Sequence, residues 1–133
     1  MRCHNYTSMD PFLRFAKQKQ KDIIMMIRDF VECESPSDHA PGVNRFVELL
    51  ADRVSELGRV KTFNGGRFGK HARVEFQLPG SKKRGQILAL GHSDTVWTLG
   101  TLKTMPFREA KGRLWAPWLA PYSSRSWPTD AVS

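Results

Sequence analysis

The sequence predicts an α/β fold: two helices packed on an incomplete mixed sheet, followed by an irregular C-terminal tail. Three observations predict it. Apolar residues recur at spacings of three and four over residues 12–31 and again over 43–57. Residues 72–78, ARVEFQL, alternate apolar and polar side chains. Residues 86–91, QILALG, form an apolar run of strand length. A period near 3.6 marks a helix face and a period of 2 a half-buried strand. A short unbroken apolar run fits a central strand buried on both faces.

The elements follow in order. Asp10 precedes Pro11, an N-cap followed by proline in the first helical turn. Phe12, Phe15, Ala16, Ile23, Met26, Ile27, Phe30 and Val31 then mark one apolar stripe, read as core. The helix stops at ECESPS, where Pro36 and the serines break it. Val43, Phe46, Val47, Leu50, Val54 and Leu57 define the second helix, with Gly58 in the place of a C-cap glycine. RVKTF, residues 59–63, is a short strand, and NGGRFGK is a loop whose glycines permit positive φ. A turn at PGSKKRG separates the strand at 72–78 from QILALG. A further short strand is expected at GRLW, residues 112–115. Residues 1–10 read as a flexible N-terminus and 11–115 as the domain. Residues 116–133 read as a tail, with three prolines and no usable periodicity.

Composition narrows the function classes. The 133 residues suffice for one modest domain with a core. No apolar run approaches the roughly 20 residues of a membrane span. MRCHNYTSMD lacks the apolar core of a secretory signal, so a cytoplasmic setting without membrane partners is expected. Cys3 and Cys33 make neither a zinc spacing nor a disulfide framework and read as free thiols. The net charge of +8 admits anionic partners. Yet Lys17, Lys19 and Lys21 alternate with Gln, and Lys82, Lys83 and Arg84 sit in a turn. Neither cluster interleaves with aromatics as a single-strand binder requires, so nucleic acid is not expected as a partner.

His92 and Asp94 follow QILALG directly. In open α/β sheets functional residues gather beyond the carboxyl ends of strands. Residues i and i+2 on an extended segment point to the same side. A carboxylate that accepts from one imidazole nitrogen leaves the other free for a metal. His92 as a zinc ligand and Asp94 as its orienting acid is therefore a coherent unit. A turn or capping role is the alternative for so short a pattern.

The flanks of the pair are more specific. ILALGHSDTVW followed by GTLKTMPFREAKGRLW resembles the metal-binding segment of the di-zinc aminoacylase/carboxypeptidase family, especially its glutamate carboxypeptidase-like members. ECESPSDHAPGVNRFVELLADRVSELG resembles the family's N-terminal helix pair. The resemblance spans about residues 12–115 and implies the N-terminal part of a zinc-peptidase catalytic domain. It implies that His92 matches a zinc ligand and Asp94 the catalytic acid that orients it. It also implies two zinc ions and a peptide or N-acyl amino acid substrate.

The pattern departs after Trp115. The family continues Gly-Pro-Gly, two residues, then an Asp that bridges both zinc ions. Here Pro117 keeps the register, Trp118 replaces the second Gly and Pro121 stands at the bridging position. Proline offers no ligand. Asp130 lies nine positions further on. His4, His39 and His71 are not placed to substitute for the other ligands. The expectation is a fragment of a metallopeptidase that does not hold the zinc pair by itself and is inactive as this chain. A non-catalytic module that self-associates through an exposed sheet edge is the other reading.

Overall fold

The structure is a computed structural model that describes residues 10–77, 79–80 and 85–117. Helix α1 spans Pro11–Gln18. Asp10 caps it, Oδ1 accepting the N–H of Phe12 at 2.7 Å and that of Leu13 at 3.4 Å. The single helix expected over the first stripe is interrupted. Lys19 takes φ −93° and ψ 3°, and α2 runs from Gln20 to Glu32. The hydrogen-bond ladder crosses the junction, since Ile23 N–H reaches the Lys19 carbonyl at 2.9 Å. The break falls within Lys17–Lys21, where no apolar side chain packs the turn into a fixed register. The expected core stripe also divides. Val31 is buried and Phe30 packs on Phe46 at 5.2 Å between ring centroids. No residue of α1 is buried, and Phe12 is 85 % exposed.

Helix α3 spans Ala40–Val54. His39 is its N-cap, with Nδ1 accepting the Gly42 N–H at 3.0 Å. Its inward face holds Val43, Phe46 and Val47, which with Val31 and Ala116 make the buried core. The Arg53 guanidinium pairs with the Asp29 carboxylate and ties α3 to α2. Gly58 does not serve as the expected left-handed cap, because its φ is not positive. Its role is close approach: a Cβ there would lie 2.8 Å from the Glu75 carbonyl oxygen.

Strands β1 (Arg59–Asn64) and β2 (Lys70–Glu75) form an antiparallel hairpin, in register from Arg59↔Glu75 to Asn64↔Lys70. Gly66 and Gly69 in its loop take φ of 64° and 84°, the conformation glycine adopts without Cβ strain. Helix α3 packs on the hairpin. Asn44 Oδ1 accepts the Lys70 N–H at 2.7 Å, and Lys70 Nζ pairs with Glu48 at 2.7 Å.

Residues 86–90 do not form the expected central strand. Ile87, Leu88 and Leu90 are 93 %, 79 % and 93 % exposed. A strand buried on both faces needs a neighbour at each edge and a layer on each face. The described residues supply neither. They contain two separate two-stranded antiparallel sheets rather than one mixed sheet. The second sheet pairs β3 (Arg108–Ala110) with β4 (Arg113–Trp115). Its two-residue turn, Lys111-Gly112, has positive φ at both positions, the geometry that matches strand twist in tight hairpins. The strand expected at GRLW is thus present, with a partner that sequence periodicity did not reveal.

Among the described residues, three α-helices and two small sheets make a mixed α/β chain. Among the described residues no helix is long and apolar enough to cross a membrane. Cys33 is a free, half-buried thiol. Burial pushes its pKa up, against the nearby Arg45 charge. The expected N-terminal segment before Asp10, Leu78, most of the turn expected at PGSKKRG (residues 81–84, with Lys82, Lys83 and Arg84), and the tail beyond Pro117 lie outside the described residues.

Candidate functional site

Residues 34–37 leave the end of α2 and meet residues 93–102 across the chain. Pro36 and Thr95 form an isolated parallel bridge. The Thr95 N–H donates to the Ser35 carbonyl and the Ser37 N–H to the Thr95 carbonyl, each at 2.9 Å. Ser35, fully buried, donates its hydroxyl to the Ser93 carbonyl at 2.6 Å. Buried hydroxyls need such a partner, because desolvation without one is costly. Glu34 fixes the next stretch. Its Oε2 accepts the Gly100 N–H at 2.8 Å and its Oε1 the Leu102 N–H at 3.1 Å. One short segment thereby pins both the residues around Asp94 and the turn at Thr101–Lys103.

His92 and Asp94 are brought together. His92 Nδ1 lies 2.9 Å from the Asp94 backbone carbonyl and 3.4 Å from the Asp94 carboxylate oxygen Oδ1. A carbonyl only accepts, so Nδ1 carries the proton and donates. In neutral imidazole the lone pair is then on Nε2. The His92 side chain is 86 % exposed. The nearer partner is thus the backbone carbonyl rather than the carboxylate expected from sequence. Asp94 Oδ2 accepts the Ser37 hydroxyl at 2.6 Å, and that hydroxyl also lies 3.0 Å from the Thr95 carbonyl. The Ser37 hydrogen bond is the main cause that holds the Asp94 carboxyl below its usual range, with a smaller pull from His92.

The pair borders a cleft of about 520 Å³ between the N-terminal end of α3, the start of β2 and residues 91–94. His71 borders the same cleft, a proximity that sequence reasoning missed. Its ring stacks on Phe63 at 5.3 Å and 12°. His39 is occupied as the cap of α3, and His4 lies outside the described residues. The pair does not stand at a strand end, since residues 86–90 are not a strand.

Glu34, Ser35 and Ser37 are the site residues that periodicity could not find. Their signal in the sequence is only that polar side chains cluster around Pro36 at a helix end. Comparison with protein-family models, with curated proteins and with solved structures finds no match to this chain.

A catalytic zinc takes about three protein ligands plus a water. Among the described residues no group of three or more His, Cys, Asp or Glu side chains is placed to hold a metal. The donors grouped among the described residues are fewer than a catalytic zinc takes. The arrangement can orient one imidazole, keep one carboxylate ionised and present both to a solvent-open cleft.

Proposed function

We propose that residues 11–115 correspond to the ligand-presenting part of a zinc-dependent amide hydrolase of the aminoacylase/carboxypeptidase kind, and that this chain by itself does not catalyse the reaction. One observation supports the first half. The Ser35–Ser37 turn holds Ser93–Thr95 so that Asp94 faces His92 and the second imidazole nitrogen stays open. That is how ligand histidines are oriented in metal sites. Pro121 at the position of the bridging carboxylate supports the second half, and among the described residues His92 and Asp94 have no third donor grouped with them. In such hydrolases zinc ions activate a water that attacks an amide carbonyl, and no step of that kind is assigned to these residues. The reading includes a peptide or N-acyl amino acid as the substrate of the intact site. It also includes a reducing, cytoplasmic setting in which Cys33 stays a thiol.

The test is amide hydrolysis of an acyl-glutamate by the purified chain with added zinc. No turnover above buffer is expected. Turnover that disappears in His92→Ala would refute inactivity. The exposed apolar side chains at 86–90 and on α1 favour an interaction role beside this ancestry.

A further inference from the structure

We propose that the outer face of the β1–β2 hairpin binds single-stranded nucleic acid, with its cations on the phosphates and Phe63, His71 and Phe68 against the bases. Strand alternation builds that face. Val60, Ala72 and Val74 are half-buried, whereas Arg59, Lys61, Phe63, His71 and Arg73 are exposed. Helix α3 packs on the hairpin, so the exposed set lies on the side away from it. The register sets Lys61 opposite Arg73 and Phe63 opposite His71. The Phe63 and His71 rings stack, and the Arg73 guanidinium lies 5.8 Å from the Phe63 centroid. Phe63 is 40 % exposed. In the loop, the Arg67 guanidinium lies 4.6 Å from the centroid of Phe68, a ring that is 60 % exposed.

Charge makes the occupant an anion. Residues 59–75 carry Arg59, Lys61, Arg67, Lys70 and Arg73 against the single carboxylate of Glu75. Glu48 takes Lys70 at 2.7 Å and Glu75 takes Arg73 at 2.9 Å. Among the described residues no carboxylate pairs with Arg59, Lys61 or Arg67. Like charges directly opposite one another, as Lys61 and Arg73 are, destabilise a free hairpin. A phosphate between them removes that repulsion. The rings then select among polyanions. A single strand offers unstacked bases that stack on aromatic side chains while cations track its backbone. A duplex keeps its base faces in its own stack, and a lipid headgroup layer has none. Stacking and phosphate contacts carry little base identity, so the binding is sequence-tolerant. The basic clusters at 17–21 and 82–84 lack aromatics. On the hairpin, cations and rings from either side of the loop meet only through strand pairing, so linear order hides their interleaving.

The test is fluorescence anisotropy of a labelled oligothymidylate of about twelve nucleotides, titrated with the full chain at several salt concentrations. Log affinity should fall with log salt at a slope of about −2, the value for about three phosphates on a single strand. Lys61→Gln with Arg67→Gln should flatten that slope and weaken binding at least about tenfold. Lys17→Gln with Lys21→Gln removes the same charge from the helices and should leave affinity within about twofold. Phe63→Leu and Phe68→Leu should each weaken binding about tenfold with the slope unchanged. Both rings are exposed, so the far-ultraviolet spectrum should stay as in the parent. Failure to bind the oligonucleotide at low salt overturns the proposal. So does an equal loss from the two charge-removing pairs, which assigns the attraction to the overall +8 charge. Affinity that ignores both phenylalanine variants overturns it as well, as does tighter binding to a duplex or to phosphatidylserine vesicles than to the single strand.

Discussion

Replacing Glu34 by glutamine should loosen the turn that follows the candidate site. Glu34 spans two backbone donors, Gly100 at 2.8 Å and Leu102 at 3.1 Å. A hydrogen bond to a charged acceptor contributes about 1.5–3 kcal/mol net. Glutamine keeps one oxygen for one amide and turns an NH₂ group towards the other, so one bond is lost and one donor faces a donor. The expected cost is about 2 kcal/mol for Glu34→Gln and about 4 kcal/mol for Glu34→Ala, from the same per-bond value. Local opening carries the signal most directly. A cost of about 2 kcal/mol corresponds to about 30-fold faster exchange at the affected amides. Hydrogen exchange followed residue by residue by NMR reads this at Gly100 and Leu102, with the hairpin amides of β1 and β2 as internal controls. If Glu34→Ala leaves both amides at the parental rate, the carboxylate is not what holds the turn.

Other outcomes follow from the same geometry. Ser37→Ala removes the main cause of the low Asp94 pKa, so Asp94 should titrate closer to an ordinary aspartate; a ¹³C carboxyl titration that does not move would contradict this. The sign for stability is fixed by that direction. A depressed folded pKa means a contribution fully present above the unfolded value and lost as pH falls through the folded one, so Ser37→Ala should flatten the acid limb of stability against pH. Val47→Ala removes two buried methyl groups from a side chain that is 2 % exposed. At ~0.8 kcal/mol per carbon plus a cavity contribution, urea unfolding should show a loss of about 2 kcal/mol, and a loss near zero would mean the α3 core is not packed as described.

The parts of this structure that are legible in sequence are those fixed within a few residues. The Asp10 cap, the proline start of the first helix, and the two strands on either side of the glycine loop depend on neighbours in the chain. The break at Lys19 was hidden because apolar spacing on either side of it continues in phase. Residues 86–90 read as a buried strand because an apolar run reports what a segment could bury, and the described chain places nothing over it. Gly58 was misread for a related reason. A glycine after a helix suits both a left-handed cap and a close contact, and only the position of Glu75 decides between them. The His92–Asp94 contact was legible as a two-residue spacing. Its support was not, since Glu34, Ser35 and Ser37 act on partners 57 to 68 positions away.

That separation bears on the order in which the molecule assembles. Closing a loop costs entropy that grows with the logarithm of its length. The β1–β2 hairpin closes over the six positions from Asn64 to Lys70, whereas the Ser35 hydroxyl reaches Ser93 over 58. The difference is about 2 kcal/mol of closure entropy against the longer contact. Nascent helices and the hairpin therefore organise first, and the seam between Ser35–Ser37 and Ser93–Thr95 closes late. Until it closes, His92 is an imidazole on an untethered strand of chain, and a molecule with nearly all its secondary structure has no site at all.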